Sequence, residues 1–244
     1  MIGEAQAARA IHTRFDVEAM AKDVLDHDLG FTVARGLLSP DEVASFRRYA
    51  EKGFESLPRI REKPSTLGLQ NYVMPLVWDD KTGEVLVERQ YHFLDQPQLD
   101  GDSDEPERII RKVLGLRDSL ESQWLPEGYY EQESCYDVNM VTKYVVGSAY
   151  PLHADAPKET PFPLLQTWSL LTEPGVDFSG GELLMHRRDG RIVRCMEELG
   201  LRPGDVLFFD RRLDHEVEPS EIIKLGRWIT LFGAKPVLHP SKTA

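Results

Sequence analysis

Thiols are scarce in this chain: two cysteines, Cys135 and Cys195, stand among 244 residues. That is too few for a disulfide framework or a thiolate zinc site, and no motif around either one marks a nucleophile. Positive charge is also short, with 29 Lys and Arg against 41 Asp and Glu and a net charge of −12. So acidic a chain offers no general face to phosphates, which excludes broad nucleic-acid or anionic-membrane binding and leaves room for a local basic pocket. No apolar run reaches the roughly 18 residues of a membrane span, and Met1-Ile2-Gly3-Glu4 lacks a basic-then-apolar leader, so the expected setting is the cytoplasm. Repeats and low-complexity tracts are missing too. What remains, 41% hydrophobic and 29% charged, is the composition of an ordinary globular protein. One domain over 1–244 is expected, with a helical and β scaffold over 1–135, a β core over 136–233 and a tail over 234–244.

Local patterns divide the chain accordingly. Asp16 is placed to cap a helix over 17–27, which Gly30 stops, and Ser39-Pro40-Asp41-Glu42 is a strong start for a second helix reaching Phe54. A third fits 106–124, with Gly115 weakening its middle. Between them, Phe31-Thr32-Val33, Tyr72 to Trp78 and Glu84 to Phe93 read as strands, and the polar stretch Gln96 to Glu105 as a loop. From Tyr136 the period becomes that of strands: 136–146, a short one carrying His153, then 164–171, 183–187, 191–195, 206–209, 216–217 and 228–232, with Asp189-Gly190 as a hairpin turn. Eight strands suit two four-stranded sheets rolled into a jelly roll with a pocket between them.

The chemistry concentrates in one stretch. Tyr144-Val145-Val146-Gly147-Ser148-Ala149-Tyr150-Pro151-Leu152-His153-Ala154-Asp155 is followed, about 60 residues later, by His215 and then by Arg227. On a strand, His153 and Asp155 would face one way, and His215 would have to arrive from another strand. Two imidazoles and one carboxylate on one side of a metal leave the opposite positions open, the arrangement of non-haem Fe(II) oxygenases. His92 is a rival ligand with no companion at strand spacing.

With Gly180-Gly181-Glu182-Leu183, Arg202-Pro203-Gly204-Asp205, His215-Glu216-Val217-Glu218-Pro219 and Gly226-Arg227-Trp228-Ile229-Thr230 around these residues, the stretch 143–233 resembles the Fe(II)/2-oxoglutarate-dependent dioxygenases, in particular the branch of prolyl hydroxylases and their small-molecule relatives. The resemblance implies a double-stranded β-helix, or cupin-like jelly roll, mainly β, with N-terminal helices packed on one sheet. It assigns His153, Asp155 and His215 as catalytic iron ligands, Arg227 as the fork that grips the distal carboxylate of 2-oxoglutarate, and Tyr144 as a second contact to that cosubstrate. Ile229 departs from the pattern, since many relatives carry a hydroxyl two positions after the arginine.

The implied reaction consumes O2 and 2-oxoglutarate, releases succinate and CO2, and oxidises an unactivated C–H bond, with hydroxylation the foremost outcome; an aspartate ligand favours hydroxylation, or another oxidation such as desaturation or ring closure, over halogenation. Seven arginines between Arg187 and Arg212 could mark an anionic substrate, although most are expected to face solvent. Arg211 and Arg212 are the foremost of them because they precede His215, and Gln166 and Trp168 are expected to line the pocket. The expected substrate is a small carboxylate-bearing metabolite, such as an amino acid or a natural-product intermediate. A peptidyl hydroxylase is the alternative, and a non-catalytic cupin-like metal-binding protein a third reading.

Overall fold

The computed structural model describes residues 9–26, 28–60, 71–78, 81–92, 104–132, 135–145, 147–156, 161–222 and 229–238. Expected helices form where their caps predict. Helix α1 spans Val17–Leu25, and the Asp16 carboxylate accepts from the Ala19 N–H at its start. Helix α2 spans Pro40–Ser56 and opens with a capping box: Ser39 Oγ accepts from Glu42 N while the Glu42 carboxylate accepts from Ser39 N. Helix α3 runs over Asp104–Glu121 through Gly115, and a short α4 at Tyr129–Gln132, which local sequence did not signal, follows it.

Fourteen strands are described. They are β1 (Ile11–His12), β2 (Phe31–Ala34), β3 (Tyr72–Trp78), β4 (Val85–His92), β5 (Cys135–Tyr144), β6 (Tyr150–His153), β7 (Leu165–Leu170), β8 (Phe178–Gly180), β9 (Leu183–His186), β10 (Ile192–Arg194), β11 (Val206–Asp210), β12 (Asp214–Val217), β13 (Ser220–Ile222) and β14 (Ile229–Leu238). A large sheet has the order β1-β2-β11-β7-β14-β5-β4-β3 and a small one the order β10-β9-β12-β6, with β13-β8 as a separate pair. The eight strands expected from sequence are β5, β7, β11 and β14 of the large sheet and the four of the small sheet. Strands of the first half of the chain extend the large sheet at both edges.

Alternation explains which face goes where. Along β11, Val206 and Phe208 join the helices, with Met20, Val24, Phe46, Ile109 and Val113 among their neighbours. Leu207 and Phe209 turn the other way and meet Leu183, Met185 and Val217 of the small sheet. Strand β7 divides in the same manner, with Leu165 toward the helices and Trp168 and Leu170 toward the small sheet, so it is buried on both faces although Gln166, Thr167 and Ser169 interrupt its apolar residues. The N-terminal helices thus cover one face of the large sheet while the small sheet covers the other. This is the double-stranded β-helix with helices on one sheet that the sequence predicts.

One boundary is corrected. Residues 234–238, expected to begin a tail, continue β14, which stays paired with β5 as far as Leu238 opposite Cys135. Pro236 lies within this extension although a proline cannot donate to a ladder. It is tolerated here because pairing with β7 has already ended at Ala234 opposite Thr167.

Two polar anchors tie scaffold to core. Asp205, almost fully buried, receives Arg35 Nη1 at 2.5 Å and the N–H groups of Gly36 and Arg202 at 2.8 and 3.0 Å. The adjoining Gly204 has φ +95°, and a Cβ there would meet the Leu38 carbonyl at 2.5 Å, so the turn requires glycine. The second anchor is Glu42, whose carboxylate receives Arg108 and Lys112 of α3, each at 2.9 Å, besides its cap bond. Burial opposes its charge, yet these donors hold its pKa down from 4.5 to about 2. A carboxylate depressed in the folded state contributes stability above its unfolded pKa and loses it as pH falls toward the folded one. Glu42→Gln is therefore expected to lower unfolding free energy at pH 7 by about 1–2 kcal/mol, discounted for the exposed ends of Arg108 and Lys112. In urea titrations the gap to the wild type should close between about pH 4.5 and 2.

Candidate metal centre

The small sheet assembles the ligands. Strands β6 and β12 are antiparallel, and His153 lies directly opposite His215 in their register, with the imidazole centroids 4.3 Å apart. Strand β6 stops at His153, so Asp155 is not placed by strand alternation. A bend places it: the N–H groups of Asp155 and Ala156 both donate to the Arg211 carbonyl, at 3.0 and 3.1 Å, and Arg211 Nη2 donates to the Asp155 carbonyl at 2.6 Å. Asp155 Oδ2 then stands 3.3 Å from His215 Nε2 and 4.0 Å from His153 Nε2.

One ligand atom from each of the three residues falls within 4.8 Å of the others, and no second such group occurs among the described residues. Both histidines have Nδ1 at 2.9 Å from a backbone carbonyl, that of Pro151 for His153 and that of Leu213 for His215. A carbonyl can only accept, so each Nδ1 carries a proton and Nε2 is the ring atom through which each histidine could ligate a metal. Two neutral imidazole nitrogens and a carboxylate oxygen suit a divalent ion such as Fe(II). His215 is wedged between Trp168 and Phe209, with ring centroids at 5.0 and 5.2 Å, and is 1% exposed.

Arg89, Met140, Thr142, Tyr144, Tyr150, Gln166, Trp168, Glu216 and Val217 line a cavity together with the three ligands. Tyr144, Gln166 and Trp168 are thus at the cavity. Burial pushes the Tyr144 phenol above its ordinary pKa, so its hydroxyl stays protonated and able to donate. The Gln166 carboxamide oxygen is buried without a hydrogen-bond partner among the described residues, an acceptor open to a bound group.

Arg211 and Arg212, expected to meet substrate, are not among the lining residues. Arg211 braces the Asp155 bend, and Arg212 donates through Nε and Nη2 to Asp210 at 2.9 and 2.6 Å. Four of the other five arginines of the cluster follow suit: Arg187 meets Asp189, Arg188 meets Asp210, Arg194 meets Glu218 and Arg202 meets Glu173. Arg227 lies outside the described residues, as does most of the loop expected over Gln96 to Glu105. His92 ends β4 opposite Asn139.

Sequence reading overlooked Arg89, Tyr150, Met140 and Thr142. A signal for Arg89 was available, since on β4 the face of Val85, Val87 and Tyr91 is apolar except for this one charge.

The chain has a double-stranded β-helix similar to that of solved 2-oxoglutarate–Fe(II) oxygenases. A prolyl-4-hydroxylase from Pseudomonas putida is 16% identical, with 91% of this chain and 99% of that one aligned at a TM-score of 0.58. The dioxygenase for auxin oxidation 1 from Arabidopsis thaliana, solved with 2-oxoglutarate, is 13% identical over 94% of this chain and 91% of that one, TM-score 0.58. A Trichoplax adhaerens prolyl hydroxylase, solved with a hypoxia-inducible-factor peptide, is 16% identical over 96% and 90%, TM-score 0.54. Residues 122–214 match the model of a family described as oxygenases catalysing oxidative methylation of damaged DNA, a span that holds His153 and Asp155 and ends one residue before His215. No curated protein matches the sequence.

If the three side chains hold a metal, ligand binding should stabilise the fold. Anaerobic Fe(II) at about a hundred times its Kd is expected to raise the melting temperature by about 5–10 °C in the wild type. The shift should vanish in His215→Ala and Asp155→Ala, as read by scanning calorimetry.

Proposed function

We propose that this protein is an Fe(II)- and 2-oxoglutarate-dependent dioxygenase that hydroxylates a small carboxylate-bearing metabolite. The observation that carries the reading is the convergence of His153, Asp155 and His215 at one cavity, with one possible ligand atom of each within 4.8 Å of the others. When bound, iron and cosubstrate would supply oxidative decarboxylation of 2-oxoglutarate coupled to oxygen insertion into a C–H bond.

The chain's own residues have distinct parts in this. His153, Asp155 and His215 hold the metal by three positions and leave the cavity side open. Tyr144 donates its hydroxyl to the cosubstrate, and Arg227 closes on the distal carboxylate with a planar fork that remains charged when desolvated. Trp168 and Phe209 fix the His215 ring by packing on it. Gln166 offers its buried oxygen to a donor on the ligand.

Among possible substrates, the net charge of −12 and the pairing of Arg187, Arg188, Arg194, Arg202 and Arg212 with carboxylates argue against an extended phosphate backbone. A peptidyl substrate is the second reading, favoured by the prolyl hydroxylases among the structural neighbours.

Anaerobic titration with Fe(II) and 2-oxoglutarate should produce the weak visible charge-transfer band of a bidentate complex. Arg227→Ala should need about ten to a hundred times more cosubstrate, the worth of a charge-assisted bidentate contact. A wild type that gives no band at saturation would sink the dioxygenase reading.

A further inference from the structure

Within the cavity that holds the three ligands, Arg89 is set apart from the other arginines. Every other arginine among the described residues that is not exposed is engaged by a carboxylate or a carbonyl: Arg35 by Asp205, Arg117 by Asp137, Arg212 by Asp210, Arg211 by the Asp155 carbonyl. Arg89 is half-buried and lines the cavity, yet among the described residues no carboxylate lies within ion-pair distance of it. Its Nε donates to Thr142 Oγ1 at 3.1 Å, and its guanidinium carbon stands 5.8 Å from the Tyr150 ring centroid.

These contacts orient the side chain without neutralising it. Thr142 is its cross-strand partner on β5, so the Nε bond fixes one edge of the guanidinium and leaves the Nη edge to meet a ligand. Tyr150 holds the flat face, and Tyr150 in turn packs on the His153 ring at 4.8 Å. The cation is therefore linked to the metal site by one aromatic ring. Burial opposes the Arg89 charge while Tyr91, Tyr150, Tyr144 and the Asp155 carboxylate support it through space, yet among the described residues no carboxylate bonds its Nη edge, which is left to an incoming anion.

The neighbourhood also limits what that anion is. Arg89 is the one cationic side chain lining the cavity among the described residues, and a single planar fork matches a carboxylate, whereas a phosphate would call for more donors. On the same face of the sheet, Tyr91, Tyr72, Met74 and Met140 pack into one apolar cluster, with the two tyrosine rings stacked at 4.8 Å. A carboxylate held at Arg89 thus has apolar and aromatic surface beside it.

We propose that Arg89 anchors the carboxylate of the primary substrate, an organic acid with an apolar body, and so places that body beside the metal. This rests on the dioxygenase reading above and goes beyond it by naming the residue and the group it binds. Arg89 is a substrate-binding, specificity-determining residue distinct from the cosubstrate contacts Tyr144 and Arg227.

The test uses the full-length protein loaded anaerobically with Fe(II) and 2-oxoglutarate. Phenylacetate, 3-phenylpropionate and hexanoate are titrated against their carboxamides, with bound fraction read by saturation-transfer NMR of the ligand and cosubstrate affinity by the visible band. At least one acid is expected to bind about tenfold tighter than its amide in the wild type. That preference should disappear in Arg89→Met, survive in part in Arg89→Lys, and leave 2-oxoglutarate affinity within about twofold, on the ground that uniform contacts to the cosubstrate are untouched. The lysine variant keeps charge and packing length, so it reports even where the methionine variant folds poorly. Parity of every acid with its amide, or a preference that persists in Arg89→Met, overturns the proposal while the band leaves the dioxygenase reading standing. A tenfold loss of cosubstrate affinity in Arg89→Met would reassign the residue to 2-oxoglutarate. A wild type without the band would overturn the dioxygenase reading itself.

Discussion

The pairing of β6 with β12 is the constraint on which the site depends. It places His153 opposite His215, and a slip of one residue would turn one imidazole to the other side of the sheet. The register is secured from both directions: β12 is also paired with β9, where His215 faces Met185, and the β6 chain is returned to the core by the Asp155 bend on the Arg211 carbonyl. The third ligand is therefore set by a bend whose geometry is borrowed from the turn between β11 and β12. Arg211 serves the metal group through backbone and side-chain bonds to Asp155 rather than by reaching a ligand.

Around that pairing the molecule keeps its charges internally matched. Carboxylates outnumber basic groups, and near the small sheet almost every arginine is neutralised by a neighbouring acid. On the helical side the same economy produces a groove of about 550 Å³ in which Arg117, Glu121, Tyr130 and Asp137 satisfy one another. Burial pushes the Glu121 pKa up to about 7, against the opposing charge of Arg117. Unlike this groove, the metal cavity retains, among the described residues, an acceptor without a hydrogen-bond partner, Gln166 Oε1, and a guanidinium bonded to a hydroxyl and no carboxylate, Arg89. Open valence of this kind separates a binding site from a structural polar cluster.

The large sheet explains how a site on the small sheet comes to have depth. Strands β7 and β14 form its central pair, and beyond β14 the strands β5, β4 and β3 extend it past the ligands, so the cavity wall continues with Thr142, Arg89 and Met140. Helices α1 to α3 close the opposite face, which leaves the inner face of these strands to the ligands and their pocket.

By itself the sequence determined the caps of α1 and α2, the alternation that buries β7 and β11 on both faces, and the residue types of the metal group. Caps and alternation are local: one side-chain oxygen near one N–H, or a period of two, is visible within a few residues. Tertiary structure decided what depends on partners far apart in the chain. The β14 strand passes through Pro236 because one of its neighbours has already ended there, the Asp155 bend depends on a carbonyl contributed from beside β12, and the arginines before His215 find acids that no spacing rule predicts. Arg89 was a single charge on an apolar strand face until the fold brought Tyr150 and the three ligands to it. Pairings between distant segments set which polar groups are satisfied, and a group left unsatisfied is recognisable only after all the others have found their partners.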